Sequence, residues 1–450
     1  MSGGPEPLRY NPAYAWYTVV LLTLAYVLSF VDRYMLGLLV EPIKADLGLS
    51  DTQIGLVLGP AFAIFYTTMG LPLGWLADRA RRNWIVGVGV LLWSAATATC
   101  GLARNFGQLF LARVGVGVGE ATLSPCALSM IADSFPEERR GKPVAFYSAA
   151  LSVGGGLASL AGASVLTWSK TRPDLSLPGF GALAAWQFAF LVVAVAGIPL
   201  ALLMLTLREP ARRNALGLAG DAPAGFRVAF AHVKARLPAF GGLASMVCVM
   251  TIVAYSQGWL PAMFQRTWGW PAERYALWNG IVLLVLGPTT VNGAGWLSDR
   301  LYARGHRDAP LLLVLAGLAI LVPTAAIAPL LPSGGAAFAM LAVNTIGIAM
   351  LSATAPTALL NITPGEIRGQ VIALYYIVIS LAGLLLGPTT IGLLTDNVFG
   401  SGGIRYAAAL LPLLFGVPVL LTVGAIRRHY RAELDRLALG RTAQTIGQEA

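Results

Sequence analysis

Long apolar stretches recur along the whole chain and predict membrane-spanning helices. Each is about 20 residues long, the length that an α-helix needs to cross the hydrocarbon core of a bilayer. Short segments that contain most of the charged residues separate them. We predict twelve spans, near residues 15–40, 53–77, 84–103, 106–134, 143–168, 185–207, 238–264, 273–297, 310–331, 335–362, 369–395 and 405–426.

The composition agrees with a chain that faces lipid over most of its length. Hydrophobic residues make up 56% of the 450 residues, charged residues make up 12%, and the mean hydropathy is +0.70. A soluble domain of this length needs more charge on its surface. These values favour an all-α membrane protein over a soluble domain with one anchor.

The basic residues predict the orientation of the spans. If both termini are cytoplasmic, most of the 31 Lys and Arg residues fall in inner loops and tails, as the positive-inside rule requires. The net charge of +10 then reflects contact with an anionic inner leaflet, and it gives no support to nucleic-acid binding. We predict a multi-pass protein of the inner cell membrane, without a removable signal peptide.

The chain divides into four predicted regions. They are a six-helix bundle over 1–207, a cytoplasmic linker over 208–237, a second six-helix bundle over 238–426 and a cytoplasmic tail over 427–450. Four apolar linker residues share one helical face, namely Phe226, Phe230, Val233 and Leu237. This spacing predicts a short amphipathic helix on the inner membrane surface, although a solvated helix explains the pattern equally well.

Two charged motifs occur twice, which indicates an internal duplication. The hexapeptide from Gly74 to Arg79 recurs almost letter for letter from Gly295 to Arg300. A second pattern, Pro-x-Glu-x-Arg-Gly, begins at Pro136 and again at Pro364. Charged clusters repeated between long apolar runs are typical of transporters built from two pseudo-symmetric halves.

The repeated motifs supply a predicted conformational latch at the inner ends of the spans. Gly74 allows close helix approach there, and Arg79 is placed to pair with Asp133. The predicted latch residues are Gly74, Asp78, Arg79, Asp133, Arg140, Gly295, Asp299, Arg300, Glu366 and Arg368. The motif resembles the signature loop of the major facilitator superfamily, and the resemblance covers essentially the whole chain. It implies twelve transmembrane helices in two pseudo-symmetric six-helix bundles.

Four ionisable residues fall inside predicted spans, and all four lie in the first half. Asp32 and Arg33 lie in span 1, and Arg113 and Glu120 lie in span 4. Each such residue costs at least roughly 2.5 kcal/mol on insertion scales, so intramembrane charges usually have a function. Arg113 and Glu120 are seven residues apart, which places them on one face of a helix.

These charges predict proton coupling. Desolvation raises the pKa of a buried carboxyl group and a nearby Arg lowers it, so separating the two changes its proton affinity. Our hypothesis is that Asp32 and Glu120 carry protons, while Arg33 and Arg113 bind an anionic substrate or act as switching partners. The alternative is a fixed four-charge network that only holds span 1 against span 4.

Spans 1 and 4 resemble those of the Spinster family within the superfamily. The resemblance depends on Asp32-Arg33-Tyr34, on Arg113-x-x-x-Gly117-x-Gly119-Glu120 and on Ile131-Ala132-Asp133. It implies secondary transport of lysolipids or sphingolipid-like amphiphiles, often proton-linked, with Asp32, Arg33, Arg113 and Glu120 as the functional residues. Small organic anions such as sugar acids are the alternative substrate.

Other classes of protein fit less well. An enzyme is not expected because the three histidines lie in inner loops or the tail, away from the charged spans,. A phosphate-binding loop of an ATP-driven pump is not found in the sequence. A non-transporting receptor or a lipid scramblase remains an alternative. We expect no cofactor and no metal, with protons, membrane lipids and the substrate as partners of a functional monomer.

Overall fold

The computed structural model describes residues 12–77, 79–136, 139, 141–171, 176–177, 181–210, 226–364 and 367–449, and most of them are helical. The helices in these ranges are α1 (Pro12–Leu38), α2 (Val40–Leu47), α3 (Asp51–Leu58), α4 (Pro60–Ala77), α5 (Arg82–Gly101), α6 (Phe106–Glu120), α7 (Leu123–Ser134), α8 (Gly141–Lys170), α9 (Ala185–Thr206), α10 (Phe226–Ala235), α11 (Leu237–Ser256), α12 (Leu260–Trp268), α13 (Ala272–Ala303), α14 (Ala309–Ile327), α15 (Gly334–Asn361), α16 (Arg368–Leu394) and α17 (Ile404–Glu449). Between α8 and α9, strands β1 (Ser176–Leu177) and β2 (Gly181–Ala182) pair antiparallel, with Ser176 opposite Ala182.

The helices account for the twelve predicted spans. Within the described ranges, eleven helical segments are long and apolar enough to cross a membrane. The twelfth is α8, in which Val153–Trp168 forms a shorter apolar stretch. The prediction of an all-α, twelve-helix membrane fold is therefore confirmed. The last helix, α17, continues well beyond the predicted end of span 12 and reaches Glu449.

Several predicted spans consist of two helices in succession. Span 2 is built from α3 and α4, span 4 from α6 and α7, and span 7 from α11 and α12. The second span breaks at Gly59 and restarts at Pro60, since proline is tolerated at the start of a helix, where its missing N–H costs nothing. The start of α3 is fixed by a capping box between Ser50 and Gln53,.

The helices form two compact units that do not follow the order of the chain. Unit 1 contains Met1–Leu49, Ala61–Gly220 and Ala272–Leu284, and unit 2 contains Ser50–Pro60, Asp221–Pro271 and Val285–Ala450. Helix α3 therefore belongs to unit 2, where it packs against α16. The first part of α13 belongs to unit 1, where Ser159 on α8 donates a hydrogen bond to the carbonyl oxygen of Ala276 at 2.8 Å. The domain limits at 207 and 238 stay predictions.

A buried carboxylate fixes α3 within unit 2. The Asp51 side chain has 0% exposure and accepts two hydrogen bonds from the Arg266 guanidinium, each at 2.8 Å. Asp396 accepts hydrogen bonds from the backbone N–H groups of Asp51 and Thr52, at 3.1 and 2.7 Å. The carboxylate of Asp396 thus satisfies backbone donors that every helix N-terminus leaves free.

The linker contains the predicted helix. Its helical part is α10, which contains Phe226, Phe230 and Val233, whereas the fourth residue of the apolar pattern, Leu237, begins α11. Phe230 and Leu237 are more than half exposed. The contact of this face with a membrane surface stays a prediction. Residues 211–225 of the linker lie outside the described residues.

Candidate functional site

The four charged residues of the predicted spans lie together in unit 1. Helix α1 carries Asp32 and Arg33, and helix α6 carries Arg113 and Glu120. Asp32, Arg113 and Glu120 are 1%, 2% and 3% exposed, whereas the Arg33 side chain is 16% exposed. Charged side chains are almost never buried to this extent unless they are paired.

The pairing crosses between the two helices, so that each helix contributes one acid and one base. Arg113 Nη1 lies 3.3 Å from Asp32 Oδ1. Arg33 donates to Glu120 Oε2 from both Nε, at 2.8 Å, and Nη2, at 2.5 Å. Two adjacent residues on α1 therefore bind opposite ends of the face that Arg113 and Glu120 share on α6. Their roles in transport stay predictions.

Aromatic rings surround the Arg33 guanidinium. Its central carbon lies 4.4 Å from the ring centre of Phe62, 4.8 Å from that of Tyr66 and 5.7 Å from that of Phe30. The close approach of α4 to α6 depends on Gly117, because a Cβ there would lie 2.6 Å from the Phe62 carbonyl oxygen,. The result is a cation in a mostly apolar setting, where cation–π attraction is strengthened by desolvation.

A fifth residue, Thr97 on α5, belongs to the site and was missed in the sequence analysis. It is fully buried, and its hydroxyl group donates a short hydrogen bond to Asp32 Oδ2. A threonine in an apolar span usually bonds a carbonyl of its own helix, as Thr99 does with Ala95 at 2.9 Å,. No sequence signal distinguishes Thr97 from such residues, because its partner lies on another helix.

Two polar atoms at the centre of the site lack a hydrogen-bond partner among the described residues. They are Glu120 Oε1 and Arg113 Nε, and both are buried. Buried polar groups are nearly always satisfied, so an unsatisfied atom in a native structure calls for an explanation. A functional role of the site is one such explanation.

The start of α5, the end of α7 and the segment after α9 meet at Arg82, whose side chain is 2% exposed. It donates to Asp133 Oδ2 at 2.5 Å, to Glu209 Oε1 at 2.7 Å and to Ser129 Oγ at 2.6 Å. The sequence analysis chose Arg79 as the partner of Asp133. The structure adds Arg82, at the first position of α5, and Glu209, which follows α9.

The other predicted latch residues are less closely packed or lie outside the described residues. Gly295, Asp299 and Arg300 lie near the end of α13, where Arg300 is exposed and stacks 5.0 Å from the Trp296 ring centre. Arg368 is exposed and donates to the Thr363 carbonyl oxygen at 3.3 Å. Gly74 lies within α4, and Asp78, Arg140 and Glu366 are outside the described residues. The latch therefore stays a prediction.

In the second half, uncharged polar groups join α15 to α14. Asn344 on α15 is fully buried and donates to the Leu321 carbonyl oxygen and to Thr324 Oγ1, both at 3.0 Å. Gln257 Nε2 lies 3.4 Å from Asn344 Oδ1. Beside them is a cavity of about 30 Å³ that Trp259 also lines, which is large enough for a water molecule. It is too small for a lipid or a sugar acid.

The chain matches the family model "Major Facilitator Superfamily" over residues 22–388. It is 29% identical to an "MFS-type efflux pump" of Mycolicibacterium smegmatis, over 93% of this chain and 92% of the relative. It is 31% identical to "Protein spinster" of Drosophila melanogaster and 33% identical to a "Probable L-galactonate transporter" of Escherichia coli. These two matches cover 45% and 41% of this chain but only 31% and 37% of the relatives.

Among solved structures, the chain is similar to a bacterial homologue of the human lysosomal transporter Spinster in an inward-facing, unoccupied conformation. The two are 27% identical with a TM-score of 0.77, over 94% of this chain and 98% of the other. A D-xylose–proton symporter has a similar fold, at 17% identity and a TM-score of 0.69, over 91% of this chain and 97% of the other. The family model and the Spinster matches both indicate a membrane transporter of this superfamily. The chain belongs to the major facilitator superfamily and is a Spinster-like membrane transporter.

Proposed function

We propose that the chain is a proton-coupled secondary transporter of an amphipathic, anionic, lipid-like substrate, working by alternating access in the inner membrane. Two buried ion pairs carry the proposal, one between Asp32 and Arg113 and one between Glu120 and Arg33. A carboxylate that is paired in one conformation and separated in another binds protons with different affinity in the two. Such a group links proton movement to a change of conformation.

The surroundings of Arg33 favour the substrate class. A guanidinium group binds a phosphate or carboxylate in a bidentate manner, and the Phe62 and Tyr66 rings beside it offer apolar surface. A molecule with an anionic head and an apolar body fits both features. The resemblance to Spinster transporters implies a lysophospholipid or a sphingoid phosphate as the first substrates to test, and the match to an efflux pump supports export.

The match to galactonate transporters supports one other substrate class, a small sugar acid. Such a molecule would bind Arg33 through its carboxylate and would leave the aromatic surface around the guanidinium without an apolar partner. Transport of galactonate, with no transport of lysophospholipid, would establish this alternative.

Uptake into proteoliposomes with an imposed pH gradient tests the proposal. We expect accumulation of labelled lysophosphatidylglycerol or a sphingoid phosphate above equilibrium, abolished by collapse of the gradient with a protonophore. Glu120→Gln and Asp32→Asn should each remove the gradient-driven part. Lipid movement of equal rate with and without the gradient would instead identify a scramblase. Transport by both variants with the pH dependence of the wild type would contradict the assignment of these residues.

A further inference from the structure

The linker helix α10 and the membrane-spanning segment that follows it meet at a corner. The segment Leu237–Trp268 is long and apolar enough to cross a membrane, and α10 ends at Ala235. Arg236 lies between them with φ −124° and ψ 29°, outside the α-helical region,. Helix α10 therefore does not continue the axis of α11, and it packs against α16 instead. It lies close to one surface of the bilayer.

Contacts within unit 2 fix which side of α10 faces the protein. Arg236 Nε lies 3.2 Å from Glu433 Oε1 on α17, and Arg236 Nη1 lies 3.1 Å from His232 Nδ1. The His232 ring packs edge-on against Phe240, with the ring centres 5.8 Å apart. On the same side of the helix, Ala229 is 1% exposed. Ala229 and His232 therefore face inward, and Arg236 holds the end of α10 against α17.

The outward side of α10 alternates basic and apolar residues. Arg227, Phe230 and Lys234 are spaced by three and four residues, which places them in one stripe, and Leu237 follows at the corner,. All four are exposed, Phe230 at 53% and Leu237 at 58%. Neither Arg227 nor Lys234 forms an ion pair with a described residue, and α10 contains no acidic residue. The stripe therefore offers two cations and two large apolar side chains to whatever lies beside it.

This alternation matches the boundary between the headgroups and the acyl chains of a phospholipid layer. There Lys and Arg side chains extend to the phosphates, while Phe and Leu side chains enter the acyl region. Two cations without a neighbouring acid favour an anionic surface over a zwitterionic one. An acidic protein would also attract the cations, but the corner at Leu237 places the stripe beside the bilayer.

We propose that α10 binds anionic phospholipids of the bilayer through Arg227 and Lys234, with Phe230 and Leu237 inserted among their acyl chains. The lipids belong to the leaflet beside α10, which the basic loops predict to be the inner one. Because Arg236 ties the end of α10 to Glu433, the bound lipids hold the linker helix against unit 2. This inference does not depend on the transported substrate or on proton coupling.

A spin label on α10 tests the proposal in the full-length protein. The label is attached through Ala231→Cys, on the exposed side of the helix, after the three native cysteines are replaced by alanine. Its accessibility to oxygen and to a nickel chelate is measured in phosphatidylcholine nanodiscs that contain increasing fractions of phosphatidylglycerol. We expect the anionic lipid to shield the label from the chelate and to raise its contact with oxygen, and high salt to weaken this change.

Two results of this measurement would overturn the proposal. A label that stays accessible to the chelate at every fraction of phosphatidylglycerol would show that α10 is a solvated helix. A label that is shielded equally in phosphatidylcholine alone would show apolar insertion without recognition of anionic lipid.

The double variant Arg227→Gln with Lys234→Gln tests the two cations. Each cation near an anionic surface favours binding about fivefold, so their loss should weaken the preference for phosphatidylglycerol roughly thirtyfold. The matched control is Arg304→Gln with Arg307→Gln, which removes two exposed cations from the loop between α13 and α14 and should leave the label unaffected. An unchanged preference in the α10 variant, or an equal loss in both variants, would contradict a specific role of the stripe.

Phe230→Ser separates insertion of the ring from attraction of charge. In nanodiscs rich in phosphatidylglycerol, the label should lose contact with oxygen in this variant and keep it in Phe230→Leu, because leucine still enters the acyl region. Phe230 is exposed, so both variants should fold, and thermal unfolding in detergent checks this. If Phe230→Ser does not fold, Phe230→Ala gives the same comparison. Oxygen contact that is unchanged in the folded variant would exclude insertion of Phe230.

Discussion

The two halves of the chain join their helices at the level of the apolar spans by different chemistry. In the first half, Arg113 and Glu120 on α6 each pair with a charged residue of α1. In the second half, Asn344 joins α15 to Thr324 on α14 through neutral hydrogen bonds. A carboxylate gains or loses charge with pH, whereas an amide or hydroxyl group does not in the physiological range. Only the first network can respond to protons, although both halves derive from one repeated unit.

The ends of the helices give a second contrast, because the two halves place opposite charges at corresponding positions. At the start of α5, the cation Arg82 is bound by Glu209, which follows α9. Just before α14, the anion Asp308 is bound by Arg427 at 2.9 Å and Arg431 at 2.8 Å, both on α17. In each half the third span meets the end of the sixth. The fold therefore determines where the contact lies, but it does not determine which of the two spans carries the cation and which the anion.

The largest effect on stability is expected for Arg113→Leu. This change leaves Asp32 buried without its countercharge, which should lower the free energy of unfolding by about 3–5 kcal/mol. Thermal unfolding in detergent, followed by circular dichroism, measures the loss. The double variant with Asp32→Asn should recover much of it because the uncompensated charge is gone. An equal loss in the single and double variants would mean that the pair contributes packing alone.

In the second half, Asn344→Leu should have a smaller effect. It leaves Gln257 and Thr324 with fewer partners and should cost about 1–3 kcal/mol, typical of a broken neutral hydrogen bond in a buried site. The pH dependence of transport should stay that of the wild type, since the network contains no ionisable group. A shifted pH profile in this variant would remove the functional contrast between the halves.

The Asp308 cluster should make stability depend on pH. Burial alone would raise the pKa of Asp308, but hydrogen bonds from Arg431 and Arg427 outweigh it and hold the pKa below its ordinary value. Because the pKa of Asp308 is lower in the folded than in the unfolded state, its ionised form stabilises the fold at pH values above the unfolded-state pKa of about 3.9. This stabilisation is lost as the pH falls from that value through the folded-state pKa. Asp308→Asn should lower the melting temperature at pH 7 and reduce its further fall in acid. The same melting temperature for both proteins at pH 7 would contradict this.

The smallest effect is expected for Lys170→Ala in unit 1. Lys170 Nζ lies 2.7 Å from Glu273, but the two side chains are 57% and 26% exposed. Exposed pairs contribute about 0.2–1 kcal/mol or less, and salt screens them. The melting temperature should therefore change little, and less in high salt. A loss comparable to that of Arg113→Leu would mean that burial does not explain why the charges of α1 and α6 matter.

Much of the fold could be predicted because its signals are local. Apolar length defines a span, so the twelve spans can be counted without knowing how the helices pack. The seven-residue spacing of Arg113 and Glu120 places both on one face of α6,. The breaks inside the spans were harder to predict, as at Gly59, where α3 ends and α4 begins. There a backbone carbonyl of another helix takes the place that a side chain would occupy.

The sequence by itself determined the twelve spans, the internal duplication and the presence of four charges in the apolar part of the first half, since these follow from composition and helical periodicity. Only the tertiary structure decided that Asp32 binds Arg113 while its neighbour Arg33 binds Glu120. It also decided that Thr97 donates a hydrogen bond to Asp32 and that Arg82 pairs with Asp133. The physical reason is that a hydrogen bond depends on the rotation and approach of two helices. These are set by packing over distances that no local pattern records.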